Sequence, residues 1–347
     1  MAKNVNLKRV VRVLVIMIIL LGLFYLFAPR YVIRALIYQH VGIDDYPIFE
    51  NRKVRAENYH SWAFTENKTK IPAHHLKKMK KYEPVSFLIV QNDTVISEHY
   101  WDNYGPDSYS NLFSSTKSIV SLLIGIANDK GYIDSLDQAV GDYLPEYNKG
   151  NKSKISIKDL LTMSSGLSWD ESYGSLFSTT TQAYYGKDLE SLVMDLEVIE
   201  KPGERYKYLS GNTQILGFLL TEATGMTMAD FAGKYLWTPI GARHDALWSL
   251  DKKEGIEKAY CCFNSNARDI ARIGKLVLDS GQAYGKQLIS KEYLLNATQP
   301  ADYLVDKNGK ENNFYGYQWW IVNYKGTTVK YARGILGQYI FVLPDYD

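Results

Sequence analysis

The sequence lacks the residue patterns of several common functional classes. Its 347 residues include only two cysteines, Cys261 and Cys262, and these are adjacent. Neighbouring cysteines rarely bridge each other without strain, so neither a structural disulfide nor a zinc site is expected. The six histidines fall in no metal-ligand spacing, and the formal net charge of +2 indicates no strongly basic surface for nucleic acid. A hydrolase of the Ser-His-Asp type is disfavoured because no Gly-x-Ser-x-Gly elbow occurs.

One long apolar run is present, and it lies at the N-terminus. Val13 to Ala28 contains no charge, and extension to Val10 gives 19 residues interrupted once by Arg12. This is close to the ~20 residues needed to span a bilayer. A cleaved signal peptide is the competing interpretation, but its apolar region is usually shorter and ends at a small-residue site. Basic residues before the run favour a signal-anchor helix whose following domain is extracytoplasmic, in a bacterial periplasm or at a cell surface.

Four segments are predicted along the chain. They are a basic N-terminal segment at 1–9, a transmembrane helix at 10–28, a membrane-proximal connector at 29–80 and a globular domain at 81–347. Within the globular domain, strand-like segments occur near both ends, starting with a hairpin at 85–100, and apolar helical patterns lie between them. This order predicts an α+β fold whose sheet joins the two extremities of the chain.

The stretch from Asn111 to Gly131 contains the first candidate for chemistry. Apolar residues recur at helical spacing after Lys117 and Gly131 is a stop signal, which predicts a buried amphipathic helix. Ser114 and Lys117 would share one face at its N-terminus, where a developing anion is favoured. A neutral lysine can deprotonate a serine hydroxyl if burial lowers its pKa. The alternative is a Ser/Thr cluster that caps a structural helix, with Lys117 pointing into water.

Ser-x-x-Lys alone is a weak signal, since roughly two chance matches are expected in a chain of this length. The second match, Ser249 to Lys252, lies in a polar stretch without an apolar helix behind it and is interpreted as a loop. Tyr208 and Ser210 precede another apolar helix and form the second candidate piece. Alone, Tyr208 is more readily explained as a packing residue.

Several segments, taken together, resemble the serine beta-lactamase-related family. This family includes class C beta-lactamases, DD-peptidases, bacterial esterases of the same fold and 6-aminohexanoate-dimer hydrolases. The matching segments occur in order from residue 85 to 347 and are FSSTKS, ISIKDLLTMSSGLSWDES, PGERYKYLSGNTQILG, NARDIARIGKLVLDSG, YGYQWW and ARGILGQYIFVLP. The first contains the Ser-x-x-Lys pattern of beta-lactamases and penicillin-binding proteins. The resemblance implies an antiparallel sheet flanked by helices, with an additional all-helical subdomain.

The resemblance also implies a role for each matching residue. Ser114 would be the acylated nucleophile, Lys117 its base partner, and Tyr208 the acid/base that protonates the leaving group and later activates water. Ser210 would line the site, and the backbone amides of Ser114 and Ile335 would form the oxyanion hole. The Tyr-x-Ser form of the tyrosine motif is closest to the aminohexanoate-hydrolase branch. The implied activity is hydrolysis of a small-molecule or peptide ester or amide, without a metal or organic cofactor.

The third family motif is altered in this chain. Ala332 and Arg333 stand where Lys-Thr would precede Gly334, and Lys-Thr-Gly occurs nowhere. That lysine helps beta-lactamases and DD-peptidases to hold a substrate carboxylate, so penicillin is not expected to be the natural substrate. Arg333 is a candidate substitute for that lysine, although adjacent residues of a strand face opposite sides and Arg333 could therefore point out of the site. Gly334 is expected to line the site. Family members typically continue beyond the last strand, so the C-terminus is expected to be truncated or the fold to close differently.

The loop between the first two motifs is expected to contact the substrate. Four aromatic residues could wall a cleft there, and these are Trp169, Tyr173, Tyr184 and Tyr185. A packed surface loop is the alternative for each of them.

Two other functions remain open from the sequence. The first is a non-catalytic binding or regulatory protein of the cell envelope, which the altered third motif favours and the retained Ser, Lys and Tyr disfavour. The second is a DD-peptidase-like enzyme acting on peptidoglycan, which is consistent with a membrane anchor. A comparison of muropeptide cleavage with turnover of simple esters would distinguish the DD-peptidase-like enzyme from an esterase.

Overall fold

The computed structural model of the protein describes residues 7–65 and 69–347. The helices of this part are α1 Leu7–Phe27, α2 Arg30–Tyr38, α3 Ala73–Met79, α4 Thr116–Asp129, α5 Ile157–Leu161, α6 Thr179–Tyr185, α7 Leu189–Met194, α8 Ser210–Thr224, α9 Met228–Ala232, α10 Ala267–Leu278 and α11 Lys291–Ala297. The strands are β1 Asn51–Val54, β2 Ala63–Phe64, β3 Ser86–Gln91, β4 Thr94–Tyr100, β5 Ser110–Asn111, β6 Ala246–Ser249, β7 Phe263–Ser265, β8 Gln282–Ala283, β9 Lys286–Gln287, β10 Trp320–Tyr324, β11 Thr327–Arg333 and β12 Tyr339–Val342.

Helix α1 contains the apolar run that was predicted to cross a membrane. The stretch Lys8–Phe27 is long and apolar enough to span a bilayer, and its residues are not buried against the rest of the chain. A membrane anchor and a signal sequence share these properties, so both interpretations of α1 stay open. Residues 1–6 of the predicted basic segment lie outside the described residues.

The segment predicted as a membrane-proximal connector contains elements that pack against the rest of the protein. Val32 and Ala35 of α2 are buried, and Arg34 Nη1 donates a hydrogen bond to the Tyr185 carbonyl in α6 at 3.2 Å. Farther along, β1 pairs with β6 in antiparallel register. The residues that follow α1 therefore contribute directly to the folded domain.

The described strands form four sheets, whereas one sheet joining both extremities of the chain was expected. The sheets have the strand orders β1-β6-β7-β5, β10-β11-β12, β2-β4-β3 and β8-β9. The predicted hairpin is confirmed, since β3 and β4 pair antiparallel around a turn in which Asn92 and Asp93 both have positive φ. The prediction of a single joined sheet is wrong.

The described ladder of β12 is with β11, and that of β3 is with β4. Pro344 begins a 3-10 turn that ends at Tyr346, and proline has no N–H with which to extend a ladder. The chain therefore meets the β3–β4 turn end-on, through a hydrogen bond from Gln91 Nε2 to the Tyr346 carbonyl at 2.7 Å. Strands β12 and β3 each remain at the edge of their own sheet.

The core surrounds α4. Every residue from Thr116 to Ala127 is buried, so this helix is enclosed on all sides instead of being amphipathic as predicted. Helix α8 packs against it. Because α4 is held on every side, its N-terminal turn is fixed relative to the residues that precede α8.

Local capping explains several helix boundaries. Helix α5 starts with a capping box formed by Ser156 and Asp159, and it ends at Leu161. Gly225 ends α8 in the left-handed conformation, at φ 64°, which separates it from α9. Helix α10 begins at Asn266, whose side chain accepts from the third N–H of the helix.

Candidate active site

Ser114 lies on a 3-10 turn, Phe113–Ser115, that leads directly into α4. Phe113 has a φ of 43°, which is uncommon for a bulky residue, and its N–H donates to Asn111 Oδ1 at 2.8 Å. Strained backbone of this kind concentrates at functional sites. Ser114 is half-buried, between Phe113 and Ser115, which are both buried.

Lys117 is buried against Ser114, with 1% of the residue exposed. Its Nζ donates to Ser114 Oγ at 3.0 Å and to the Tyr260 carbonyl at 2.9 Å. Burial lowers the pKa of Lys117 from 10.5 to about 8, while the negative charge of Glu171 acts in the opposite direction. The alternative in which Lys117 points into water is therefore wrong. An amine in this environment is partly neutral near pH 8 and is in contact with the hydroxyl that it would deprotonate.

Tyr208 is the third member of this cluster. Its ring centre lies 5.0 Å from Lys117 Nζ, and it stacks on Trp320 at 5.8 Å. Burial raises the pKa of the phenol, and the hydrogen-bonding side chain of Ser114 and the charge of Arg333 lower it. The net effect is upward, so the phenol is protonated at neutral pH. The structure thus brings together the three residues that the sequence singled out.

Ser210 begins α8, but its polar groups are directed at Glu171, a residue that was not predicted. Glu171 Oε2 accepts from the Ser210 N–H at 2.6 Å, and Oε1 accepts from Ser210 Oγ at 2.6 Å. The Tyr173 hydroxyl also donates to Oε1, at 2.5 Å. The position of Glu171, on the loop between two motifs, was the one sequence signal that could have identified it.

The four aromatic residues predicted to wall a cleft have different environments. Tyr173 is 52% exposed beside Glu171. Trp169 is buried and covers the start of α8, where a Cβ on Gly211 would lie 2.6 Å from its ring. Its indole N–H donates to Thr180 Oγ1 at 3.1 Å. Trp169 therefore stabilises the base of the loop, and Tyr173 is the member that is open to solvent.

Tyr184 and Tyr185 lie in α6, in a packing layer and not on a cleft surface. Both are buried, and Tyr184 packs edge-on against Phe49 at 5.1 Å between ring centres. Tyr185 stacks with Tyr38 of α2 at 6.1 Å. The pattern of aromatic residues had suggested a cleft, but α2 covers α6, so these rings face the protein interior.

The end of β11 lies against the Phe113–Ser115 turn and the residue before it. A Cβ on Gly334 would lie 2.5 Å from the Leu112 carbonyl, so glycine permits this close approach. Ser115 Oγ donates to the Gln338 carbonyl at 3.2 Å, which holds the following loop to the same turn. Ile335, whose amide was predicted to be the second oxyanion donor, is 42% exposed in this loop.

Strand alternation separates the two residues that replace Lys-Thr. Ala332 is fully buried and pairs with Ile340, whereas Arg333 is exposed. The charge of Arg333 nevertheless acts on Tyr208, whose pKa it lowers. Arg333 shares a face of β11 with Tyr331, two residues earlier, and Tyr331 stacks on Trp320, the ring on which Tyr208 also stacks. Arg333 is therefore on the Tyr208 side of β11.

Buried polar side chains connect the motif segments, and these residues were not predicted. Ser165 Oγ donates to Asn212 Oδ1 at 2.6 Å, and Thr213 Oγ1 donates to Gln318 Oε1 at 2.7 Å. Gln318 Nε2 in turn donates to the Leu160 carbonyl at 3.0 Å. Each pair is distant in the chain, so no local pattern indicates it.

Cys261 and Cys262 form a disulfide with each other, and the expectation of no disulfide is wrong. Cys262 has a φ of 71°, a backbone conformation that ordinary loop residues rarely adopt. The pair directly follows Tyr260, whose carbonyl accepts from Lys117. Within residues 7–65 and 69–347, no group of three His, Cys, Asp or Glu side chains is placed to hold a metal ion.

The second Ser-x-x-Lys match has a different setting. Ser249 is the last residue of β6 and not part of a loop, and its hydroxyl donates to Asn51 Oδ1 at 2.8 Å. It is fully buried, while Lys252 is exposed. This pair is therefore structural.

Comparison with known proteins places this site in a family. Residues 73–347 match the family model described as beta-lactamase. A 6-aminohexanoate-dimer hydrolase of Paenarthrobacter ureafaciens is 26% identical over 278 residues, which cover 76% of this chain and 70% of that protein.

Two solved structures share the fold. A Bacillus anthracis protein provisionally described as a 6-aminohexanoate-dimer hydrolase has a TM-score of 0.77 and 19% identity, covering 88% of this chain and 84% of its own. A family VIII carboxylesterase has a TM-score of 0.56 and 16% identity, with 78% and 90% covered. The chain belongs to the beta-lactamase family, and its fold is that of the hydrolases and penicillin-binding proteins in this family.

Proposed function

We propose that the protein is a serine hydrolase that cleaves an ester or amide through an acyl intermediate on Ser114. The observation that carries the proposal is the contact of 3.0 Å between Lys117 Nζ and Ser114 Oγ. Burying an amine costs free energy, and a structural helix gains nothing from an amine at this position. The name of the Paenarthrobacter relative refers to an amide substrate, which agrees with this reaction class.

Acylation would begin with proton transfer from Ser114 to neutral Lys117. Oγ then attacks the carbonyl carbon, and the negative charge moves to the carbonyl oxygen. The N–H groups of Ser114 and Ile335 are the proposed oxyanion donors, since Gly334 brings the β11 end to within reach of the nucleophile turn. Tyr208 would give a proton to the leaving alcohol or amine, and its raised pKa keeps it protonated until then.

Deacylation would reverse these roles. Water attacks the acyl-Ser114 carbonyl while the deprotonated Tyr208 accepts a proton from it. The bond between the acyl carbon and Ser114 Oγ then breaks, the acid product leaves, and Oγ recovers its proton from the ammonium of Lys117, which becomes neutral again. No residue outside the described cluster is required for this sequence of steps.

The test uses the full chain in detergent, a fluorophosphonate probe and a p-nitrophenyl ester. Mass spectrometry is expected to locate the adduct on Ser114, and Ser114→Ala should lose both labelling and turnover. Ser249→Ala is the matched control, since it removes the serine of the second Ser-x-x-Lys match. A folded wild-type protein that neither reacts nor turns over ester would refute the proposal and leave a binding or regulatory function.

A second candidate function is cleavage of peptidoglycan stem peptides. Exposed Arg333 is a cation on the Tyr208 side of β11, and it could hold a terminal carboxylate as the missing lysine does elsewhere in the family. The apolar helix α1 would place such an enzyme at the cell envelope. Release of D-alanine from a muropeptide, lost in Arg333→Ala while ester turnover persists, would support this candidate.

A further inference from the structure

We propose that Glu171 is a positioning residue, which clamps the loop at 170–178 to the start of α8 and whose negative charge acts on Lys117. The consequences for catalysis rest on the proposed function. The clamp itself rests on geometry alone.

The clamp supplies what the start of α8 lacks. The residue at the cap position is Leu209, whose hydrocarbon side chain cannot accept a hydrogen bond. The first N–H groups of a helix have no partner within it, and here the Ser210 N–H donates to Glu171 Oε2 at 2.6 Å. A carboxylate at the N-terminus of this 15-residue helix is also favoured by the helix dipole. Glu171 thus caps α8 from 39 residues away.

The second carboxylate oxygen fixes the loop side of the contact. Oε1 accepts from Ser210 Oγ at 2.6 Å and from the Tyr173 hydroxyl at 2.5 Å. Three donors therefore converge on one side chain, one from the loop and two from α8. Because Tyr208 is only two residues before Ser210, the same clamp restrains the backbone that carries the proposed proton donor.

The negative charge of Glu171 affects the pKa values of the side chains around Ser114. It raises the pKa of Lys117, of Tyr208 and of Tyr260, which are the titratable side chains around Ser114. Burial acts on all three as the larger cause. The two groups that Lys117 Nζ contacts, Ser114 Oγ and the Tyr260 carbonyl, are both neutral. Glu171 is thus the charged neighbour that stabilises the ammonium formed when Lys117 takes the serine proton.

The direction of the pH effect follows from this. An anion favours the protonated lysine, so its removal lowers the pKa of Lys117 below its value of about 8 in the wild type. Neutral Lys117 then persists to lower pH, and the acidic limb of the acylation profile moves to lower pH. The plateau rate falls, because a weaker base faces the serine and the loop is no longer clamped.

The experiment compares Glu171→Gln with Asp170→Asn in the full chain in detergent. Asp170 is the adjacent acid, exposed and not part of the cluster, so its variant controls for loss of one charge from this loop. The titration of Lys117 is followed by NMR of lysine-labelled protein, assigned with Lys117→Met. The pH dependence of fluorophosphonate labelling and the amide exchange rate of Ser210 are measured in parallel.

Glu171→Gln is expected to lower the Lys117 midpoint and the acidic limb, and to speed exchange at Ser210, whereas Asp170→Asn changes none of them. Glu171→Asp keeps the charge with a shorter reach, so it should retain the Lys117 midpoint and lose only the protection of Ser210. This variant decides the question if the glutamine variant fails to fold. An unchanged Lys117 midpoint and unchanged Ser210 exchange in folded Glu171→Gln would overturn the inference.

The two proposals fail in different ways. A wild-type protein that is not labelled at Ser114, but whose Lys117 midpoint falls in Glu171→Gln, would refute the hydrolase and support the clamp. Labelling at Ser114 with a midpoint that does not respond to Glu171 would do the reverse.

Discussion

Replacement of Lys117 by methionine should remove activity without loss of stability, which distinguishes a functional lysine from a structural one. Methionine matches the length and volume of the lysine stem, so no large cavity is left in the wall of α4. It removes the amine that contacts Ser114 Oγ and the Tyr260 carbonyl.

The expected change in the free energy of unfolding follows from the pKa of Lys117, which is 10.5 when unperturbed and about 8 in the folded protein. The unfolded chain therefore binds this proton more tightly, and below pH 8 the buried ammonium costs about 3 kcal/mol of stability. This cost declines as the pH rises from 8 to 10.5. Methionine relieves it but leaves the Tyr260 carbonyl without its donor, at about 1–3 kcal/mol. The variant should thus be as stable as the wild type at pH 7, or up to about 2 kcal/mol more stable.

The rate should change far more. General acid–base catalysis by a positioned group contributes about 10²–10⁴-fold, so labelling of Ser114 by the fluorophosphonate is expected to slow by that factor. Denaturant unfolding and labelling kinetics are measured on the full chain at pH 7, with Lys130→Met as control because Lys130 is exposed at the end of the same helix.

Two results would refute the reasoning. Labelling within about threefold of the wild-type rate would show that Lys117 is not the base, since a catalytic group contributes at least 10²-fold. Destabilisation by more than about 2 kcal/mol with full labelling would show that the buried amine serves packing and hydrogen bonding instead.

Three further outcomes are expected. Tyr208→Phe should slow turnover of an amide by about 10²–10⁴-fold, measured as steady-state kcat, while the thermal midpoint stays close to that of the wild type; unchanged turnover would remove the phenol from the mechanism. Gly334→Ala places a Cβ 2.5 Å from the Leu112 carbonyl, so it should lower the free energy of unfolding, measured with denaturant, by about 1–3 kcal/mol and reduce labelling of Ser114. Neither effect is expected if the end of β11 does not pack on the turn that contains Ser114. Tyr184→Phe should leave ester kcat/KM unchanged and lower the free energy of unfolding by about 1 kcal/mol, because the hydrogen bond to Asp45 is lost. A changed KM would show instead that Tyr184 contacts the substrate.

Local sequence patterns were sufficient for much of the fold. The helices α4 and α8 and the β3–β4 hairpin were predicted because apolar periodicity and turn residues act over short distances. The pairing of Ser114 with Lys117 is also local, since three residues on one helical turn share a face.

Patterns that depend on distant contacts were predicted less well. The aromatic residues Tyr184 and Tyr185 face the interior because α2, about 150 residues earlier, covers α6. The two terminal groups of strands lie in separate sheets, which local patterns cannot show because strand pairing joins distant segments. The adjacent cysteines are bridged in a loop whose conformation the sequence did not indicate.

The sequence alone determined the α+β class, the apolar helix at the N-terminus and the identity of the three side chains proposed to react, because each is encoded in residues that are close along the chain. Only the tertiary structure decided that Lys117 is buried, that Tyr208 stands beside it and that Glu171 clamps the start of α8. These features depend on desolvation and on contacts between segments 39 to 143 residues apart. The chemistry of the site is set by that environment, since burial and one neighbouring charge determine the protonation state of the proposed base.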